Sequence, residues 1–358
     1  MSDADPRPLV LLPNDGMLAD VLRDIGERLV AAGLRVEYCD FPHKDYERPR
    51  IPARLADADV AMFTMRTRCS AEMLQSAARL RGIVYPTIGT ETLDLERADE
   101  LGIIVGHGAM PENFVGMAEA TVMLILMQLY DPIASSDVLH GRRARPNAGT
   151  VWARLLAGRT VGLIGFGRIG RAIAERLGNW RVRLLASDPH VAAEHRPAEV
   201  AFVDFDTLMR ESDVVVVAVA ITPQTRDIVD ARALSLMKPD ARLINISRGE
   251  AIDERALVDA LRERRLGGAA LDVTRIEPLP ADSELRTLDN CFLTPHMIGQ
   301  TRDVYAVIAP TAVENIMCIL RGEMPPYCRN PYARESWMGR LRSLGVRTPE
   351  WLEIDGTR

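Results

Sequence analysis

A chain of 358 residues is long for one hydrophobic core, and at roughly 150 residues per domain it predicts two domains with a cleft between them. Its make-up, 47% hydrophobic and 26% charged with a formal charge of −6, is that of a soluble globular enzyme and leaves no basic footprint for nucleic acid. The five cysteines are scattered and form no CxxC pair, which argues against a disulfide framework or a zinc site and fits a reducing cytoplasm.

The opening MSDADPRP is acidic and has no apolar core, so it does not read as a signal peptide. From residue 9, short apolar or β-branched runs alternate with helical patterns: LVLL, a helix over 18–29, RVEY, DVAMF, a helix over 70–79, GIVY, a helix over 94–100, and IIV. This alternation predicts βαβ units and a parallel sheet. Residues 112–130 read as one long helix, apolar around much of its circumference and therefore buried. The longest unbroken apolar run in it, VMLILM, is far short of the roughly 20 residues a bilayer requires, so no membrane partner is expected.

After a glycine- and arginine-bearing loop over 140–150, a second and cleaner series begins. TVGLI (160–164), VRLLAS (182–187), VVVVAVA (214–220), RLINI (242–246), GAALDV (268–273) and CFLT (291–294) are six candidate strands, with helical patterns between the first five. That is the plan of a doubly wound dinucleotide-binding sheet. Residues 302–320 read as a helix that Pro310 should kink or start, and it is expected to return to the first domain. The stretch from 332 to 358 carries two tryptophans and no strand pattern.

Between the strand TVGLI and the helix RIGRAIAERLG stands GFGRIG. In that context Gly165 permits a tight turn, Gly167 lets backbone approach a pyrophosphate, and Gly170 lets helix and strand pack closely. The N–H groups at the helix start can then hold the phosphate charge. At the end of the next strand comes Asp188, an acid placed to bind the adenine ribose hydroxyls and repel a 2′-phosphate, so NAD is expected over NADP. The plainer alternative is an Asp-Pro turn.

Three later strands each end in an unexpected polar residue: Arg248, Asp272 with Glu277 close behind, and His296. In a parallel sheet all carboxyl ends share one edge, so these side chains converge where the cofactor should lie. Histidine suits proton transfer near neutrality, a carboxylate on its other nitrogen would orient it, and a guanidinium can grip a carboxylate through two hydrogen bonds. His296 is thus the candidate acid/base, Glu277 its partner, Arg248 the substrate anchor, and Asp272 is expected to face the nicotinamide amide. Taken singly, each also has a bland reading as a turn or loop residue. His43, His140, His190 and His195 fall in polar loops; His107 follows a strand of the first domain and could line the cleft.

From about residue 55 to 331 the chain resembles the D-isomer-specific 2-hydroxyacid dehydrogenase family, most closely in TVGLIGFGRIG, LINISRGEAIDERALVDAL, GAALDV, EPLP and LTPHMIGQT. The resemblance implies a Rossmann NAD-binding domain over 126–301 and a flavodoxin-like substrate domain formed by 1–125 with 302–331, leaving 332–358 as an extension. It puts the catalytic arginine, acid and histidine on Arg248, Glu277 and His296, and adds NAD contacts at Arg168, Ile169, Ile246, Ser247 and Gly299. TIGTETLDL (87–95) resembles the family's substrate loop, which implies carboxylate binding at Ile88 and Gly89. The sequence departs from the family at Thr87, where glycine is common, at Glu91, where aspartate is common, and at Ala218-Val219-Ala220, where His-x-Pro is usual. A related formate-oxidising branch has glutamine in place of Glu277. The implied activity is reversible, NAD-dependent interconversion of a small D-2-hydroxy acid and its 2-keto acid by a homodimer. The alternative is an NAD(H)-sensing, corepressor-like interaction protein on the same fold.

Overall fold

The computed structural model describes residues 7–44 and 51–346. The chain forms two compact units, residues 1–113 with 301–358, and residues 114–300.

The first unit is built on five parallel strands, β1 (Leu9–Pro13), β2 (Arg35–Cys39), β3 (Val60–Met62), β4 (Gly82–Val84) and β5 (Ile104–Gly106), in the order β2-β1-β3-β4-β5. Strand alternation sorts the apolar residues between two cores. Leu9 and Leu11 of β1 face a layer with Phe63, Met73 and Leu74, while Val10 and Leu12 face one with Leu22, Ile25, Ile316 and Ile319. Because helices cover both faces, β1 is buried along its whole length, as parallel sheets require.

Helix Arg302–Arg321 begins on a Thr301 cap, runs unbroken through Pro310 and ends at Gly322 in a left-handed conformation. Pro310 therefore does not mark its start. Ile319 rests directly on β4, where a Cβ on Gly82 would come within 2.8 Å of it. A second helix, Arg334–Ser343, follows in the stretch that the sequence sets apart as an extension. Its Trp337 is fully buried and donates from Nε1 to the Arg81 carbonyl at 2.7 Å. The Arg340 guanidinium donates to the carbonyls of Leu80, Ala77, Leu101 and Ala78, and burial holds it below the usual arginine range.

The second unit has seven parallel strands: β6 (Thr160–Ile164), β7 (Arg183–Ser187), β8 (Val200–Phe202), β9 (Val214–Val217), β10 (Arg242–Asn245), β11 (Gly268–Leu271) and β12 (Cys291–Leu293). Their order is β12-β11-β10-β9-β6-β7-β8, a doubly wound sheet that reverses direction between β6 and β9. The edge strand β8 has no counterpart among the six candidates from sequence. Val215 and Val217 of β9 enter one core, Val214 and Val216 the other.

Two helices of 20 residues, Pro111–Tyr130 and Arg302–Arg321, are long and apolar enough to cross a membrane by length and composition alone. Each contributes to a sheet core: Leu124, Ile125 and Leu129 with Val161 and Leu163, and Ile316 and Ile319 with Val84.

Candidate active site

The glycine loop leaves β6 at the point where the second sheet reverses. Gly165 has φ 92°, in the left-handed region, and a Cβ there would meet the Ala218 carbonyl at 2.7 Å. A Cβ on Gly170 would strike the Gly165 carbonyl at 2.6 Å, so helix Arg168–Leu177 packs hard against the turn. Gly167 differs, since nothing lies within 4 Å of where its Cβ would stand. That open backbone precedes the first N–H groups of the helix, those of Arg168, Ile169 and Gly170, which have no intrahelical acceptor. These features fit a dinucleotide pyrophosphate. The Arg168 side chain lies over the Phe114 ring at 5.2 Å, and Ile169 packs on the core below.

Asp188, just past β7, accepts the Phe166 N–H at 2.8 Å on one carboxylate oxygen and the His190 N–H at 2.9 Å on the other. It thus both closes the Asp-Pro turn and ties the glycine loop to the neighbouring strand end. A carboxylate offers about four acceptor sites, so capacity for a ribose hydroxyl is left over.

Arg248, Asp272 and His296 follow β10, β11 and β12 on the same edge. At the end of β10, the buried Asn245 accepts the Ser247 N–H and hydroxyl at 3.0 Å and donates to the Arg248 carbonyl at 2.9 Å. Ile246 is buried at the strand end. Gly249 brings this turn against the next segment, because a Cβ there would stand 2.0 Å from the Thr274 carbonyl carbon. Thr274 in turn donates its N–H to Glu277 Oε1 at 3.2 Å. Glu277 Oε2 lies 2.9 Å from His296 Nδ1. A carboxylate only accepts, so Nδ1 carries the proton of that bond and Nε2 is the ring's other working position. The pair is partly open to solvent, with 44% of the His296 side chain exposed.

His296 has φ 56°, unusual for a residue with a side chain. Asp272, almost wholly buried, imposes the turn. Its backbone carbonyl accepts the His296 N–H at 2.7 Å, and its Oδ1 accepts from the Thr294 hydroxyl at 2.7 Å and from the N–H groups of Met297 and Ile298 at 3.0 and 3.1 Å. Gly299 completes the turn against the helix of Met117, whose sulfur would lie 2.0 Å from an added Cβ.

Ile88 and Gly89 belong to the first unit, in the loop after β4. The loop is fastened from behind: Gly108 N–H donates to the Thr87 carbonyl at 2.9 Å, and His107 Nδ1 lies 3.0 Å from the Ile88 carbonyl. At the reversal of the first sheet, between β1 and β3, Arg66 donates from Nε to the buried Asp15 carboxylate at 3.1 Å and a second time from Nη2. Burial would raise the Asp15 carboxyl, but hydrogen bonds from Arg66 and Thr64 outweigh it and hold the group below its ordinary value. Among the described residues no group of three or more His, Cys, Asp or Glu side chains is placed to hold a metal ion.

A reversing parallel sheet with a phosphate-fitting glycine loop, and a carboxylate-oriented histidine on the same edge, defines a nicotinamide-dependent oxidoreductase. Residues 122–298 match the family model described as D-isomer specific 2-hydroxyacid dehydrogenase, NAD binding domain. A glyoxylate reductase of Thermofilum pendens is 34% identical, over 81% of this chain and 88% of its own. A D-3-phosphoglycerate dehydrogenase of Methanocaldococcus jannaschii is 32% identical over 90% of this chain, which spans only 59% of that longer protein. Among solved structures, the TT0316 protein of Thermus thermophilus superposes with a TM-score of 0.75 at 31% identity, covering 90% of this chain and 99% of that one. The chain belongs to the D-isomer specific 2-hydroxyacid dehydrogenase family, and its activity is NAD-dependent oxidoreduction of 2-hydroxy acids.

Proposed function

We propose that the protein reduces a small 2-keto acid to its D-2-hydroxy acid, reversibly, with His296 as acid/base, Glu277 as the group that orients it and Arg248 as the anchor of the substrate carboxylate. The observation that carries this is the His296–Glu277 hydrogen bond of 2.9 Å beside the Arg248 turn. NAD(H), when bound, accepts or supplies the hydride at C2. With Nδ1 committed to Glu277, a doubly protonated ring donates from Nε2 to the keto oxygen and is left neutral in the one tautomer that the carboxylate holds. A lysine in place of Arg248 would hold the substrate carboxylate through a point charge instead of a planar fork. Gly165, Gly167 and Gly170, with the N–H groups of Arg168 and Ile169, would hold the pyrophosphate, Asp188 the adenine ribose, and Ile246, Ser247, Asp272 and Gly299 the nicotinamide side. Ile88 and Gly89 would bind the substrate carboxylate through backbone N–H groups. Glu277 stands against formate oxidation, whose branch of the family uses glutamine there.

The second unit exposes Tyr130, Ile133, Leu139, Val151, Leu155 and Trp180, large apolar side chains of the kind that a partner surface covers. A second copy of this unit would cover it, giving a homodimer. Five unpaired cysteines suit the cytoplasm.

The test is NADH oxidation with glyoxylate, hydroxypyruvate, pyruvate and 3-phosphohydroxypyruvate, with NADPH in parallel and light scattering on the same preparation. Turnover of a keto acid with NADH, by a particle of twice the chain mass, is expected. NADH binding without turnover of any keto acid overturns the catalytic reading, a preference for NADPH overturns the role of Asp188, and a monomeric mass overturns the dimer.

A further inference from the structure

Arg275 stands two residues before Glu277 and ties together the segments that leave three neighbouring strands. Its backbone N–H donates to Glu254 Oε2 at 3.1 Å, and its Nη2 donates to the Ile252 carbonyl at 2.8 Å and to Asp227 Oδ1. Asp227 lies in the chain after β9, Ile252 just beyond the Arg248 turn that follows β10, and Arg275 itself after β11. One guanidinium nitrogen thus joins the first two segments to the third.

The backbone around it is arranged to receive that side chain. Asp227 has φ 51°, a left-handed conformation that aspartate tolerates better than most residues. Its N–H donates to the Glu250 carbonyl at 2.8 Å, while Val229 donates to the Ala251 carbonyl and accepts from the Asp253 N–H, both at 3.1 Å, so the segments after β9 and β10 run paired. On the other side, a Cβ on Gly249 would stand 2.4 Å from the Arg275 backbone nitrogen. From Thr274 to Glu277 the chain closes on itself: the Thr274 hydroxyl donates to the Ile276 carbonyl at 2.9 Å and its N–H to Glu277 Oε1 at 3.2 Å. A movement of Arg275 is therefore passed on to Glu277. As an ion pair the contact with Asp227 is half exposed and adds little to stability. Its consequence is geometric, because catalytic groups need to be held to within about 0.5 Å.

We propose that Arg275 is a positioning residue: by bridging Asp227 and Ile252 it sets the spacing between the Arg248 turn and Glu277, and through Glu277 the direction of the His296 ring. This rests on the keto-acid reductase reading above.

The test uses the full chain with NADH and a keto acid that the wild type turns over. Arg275→Met keeps the stem and removes the guanidinium. It is expected to lower kcat/KM about tenfold or more, through a fall in kcat together with a rise in the keto-acid KM, while NADH affinity stays within about twofold. A merely less stable variant has fewer active molecules, which lowers kcat and leaves KM alone. Arg275→Lys, which keeps a cation of similar reach, should recover most of the loss. Asp227→Asn removes the charge at a residue type that also tolerates the left-handed conformation; it should raise the same KM, and the double variant should be no worse than Arg275→Met alone. An unmoved keto-acid KM in both single variants, equal losses in Arg275→Met and Arg275→Lys, or fully additive losses in the double variant would each overturn the proposal and leave the reductase reading intact. No turnover of any keto acid by the wild type would overturn both.

Discussion

His296 sits in a backbone conformation that costs energy for any residue with a Cβ, and Asp272 sustains it with its carbonyl and one carboxylate oxygen. The strain therefore falls on the residue proposed as the acid/base, and the ring's direction is fixed from two sides, by the turn and by Glu277. Replacing His296 with Ala is expected to cut turnover by about 10² to 10⁴ with NADH affinity nearly unchanged, because the glycine loop lies on other strands. Stopped-flow turnover and NADH titration check this, and full activity in the variant would sink the assignment. The arginine, the acid and the histidine were legible because chemistry-bearing residues at successive strand ends break an otherwise apolar pattern. Asn245, Thr274 and Thr294 were not, since they act through hydrogen bonds to backbone or to another side chain. For Asn245 the signal was present: a buried amide inside the strand RLINI needs internal partners. The hydrogen bond by which Asp188 holds the Phe166 N–H has no sequence signature at all.

Between elements, the contact that unites the site is the packing of the Arg248 turn on the segment after β11. Any Cβ at position 249 would overlap the Thr274 carbonyl, so Gly249→Ala must move either the arginine or the glutamate. A displacement of about 1 Å at a catalytic group can cost about 10²-fold, and a loss of that order in kcat/KM is expected, with NADH affinity kept. A variant within twofold of wild type would mean that the turn has room to shift. The helix Arg334–Ser343 matters differently: Trp337 fills a space in the first unit's core, and Trp337→Ala is expected to destabilise that unit by about 3–5 kcal/mol in urea unfolding. An unshifted urea midpoint would show that the helix is dispensable. The long runs of the second sheet were readable because buried parallel strands carry continuous apolar stretches. Edge strand β8 escaped, being three residues long with Ala201 exposed at its centre. Helix Pro132–Leu139 escaped as well, although Asp131 as its cap and Pro132 at its start are a legible onset signal. For Arg334–Ser343 the sequence offers a weak amphipathic pattern, because its burial rests on two residues, Trp337 and Leu341.

At the scale of the whole molecule, the first unit is assembled from both ends of the chain and the second from one unbroken stretch, 114–300. The residues that cover one face of β4, Ile316 and Ile319, come more than two hundred positions after the strand they rest on. Translation therefore delivers the two units on different schedules. The cofactor-binding unit has all of its strands once residue 300 has left the ribosome, whereas the earlier sheet waits with one apolar face only partly covered, by Leu22 and Ile25, until the last helices emerge. Nascent chains arrested with residue 300 just outside the exit tunnel are expected to resist protease across 160–293 and to be cut within 9–106. Equal protection of both stretches would show that the first sheet closes without its C-terminal helices. An interrupted synthesis would then leave a half-made protein that already handles dinucleotide yet presents a sticky, unfinished sheet, the kind of surface that chaperones recognise.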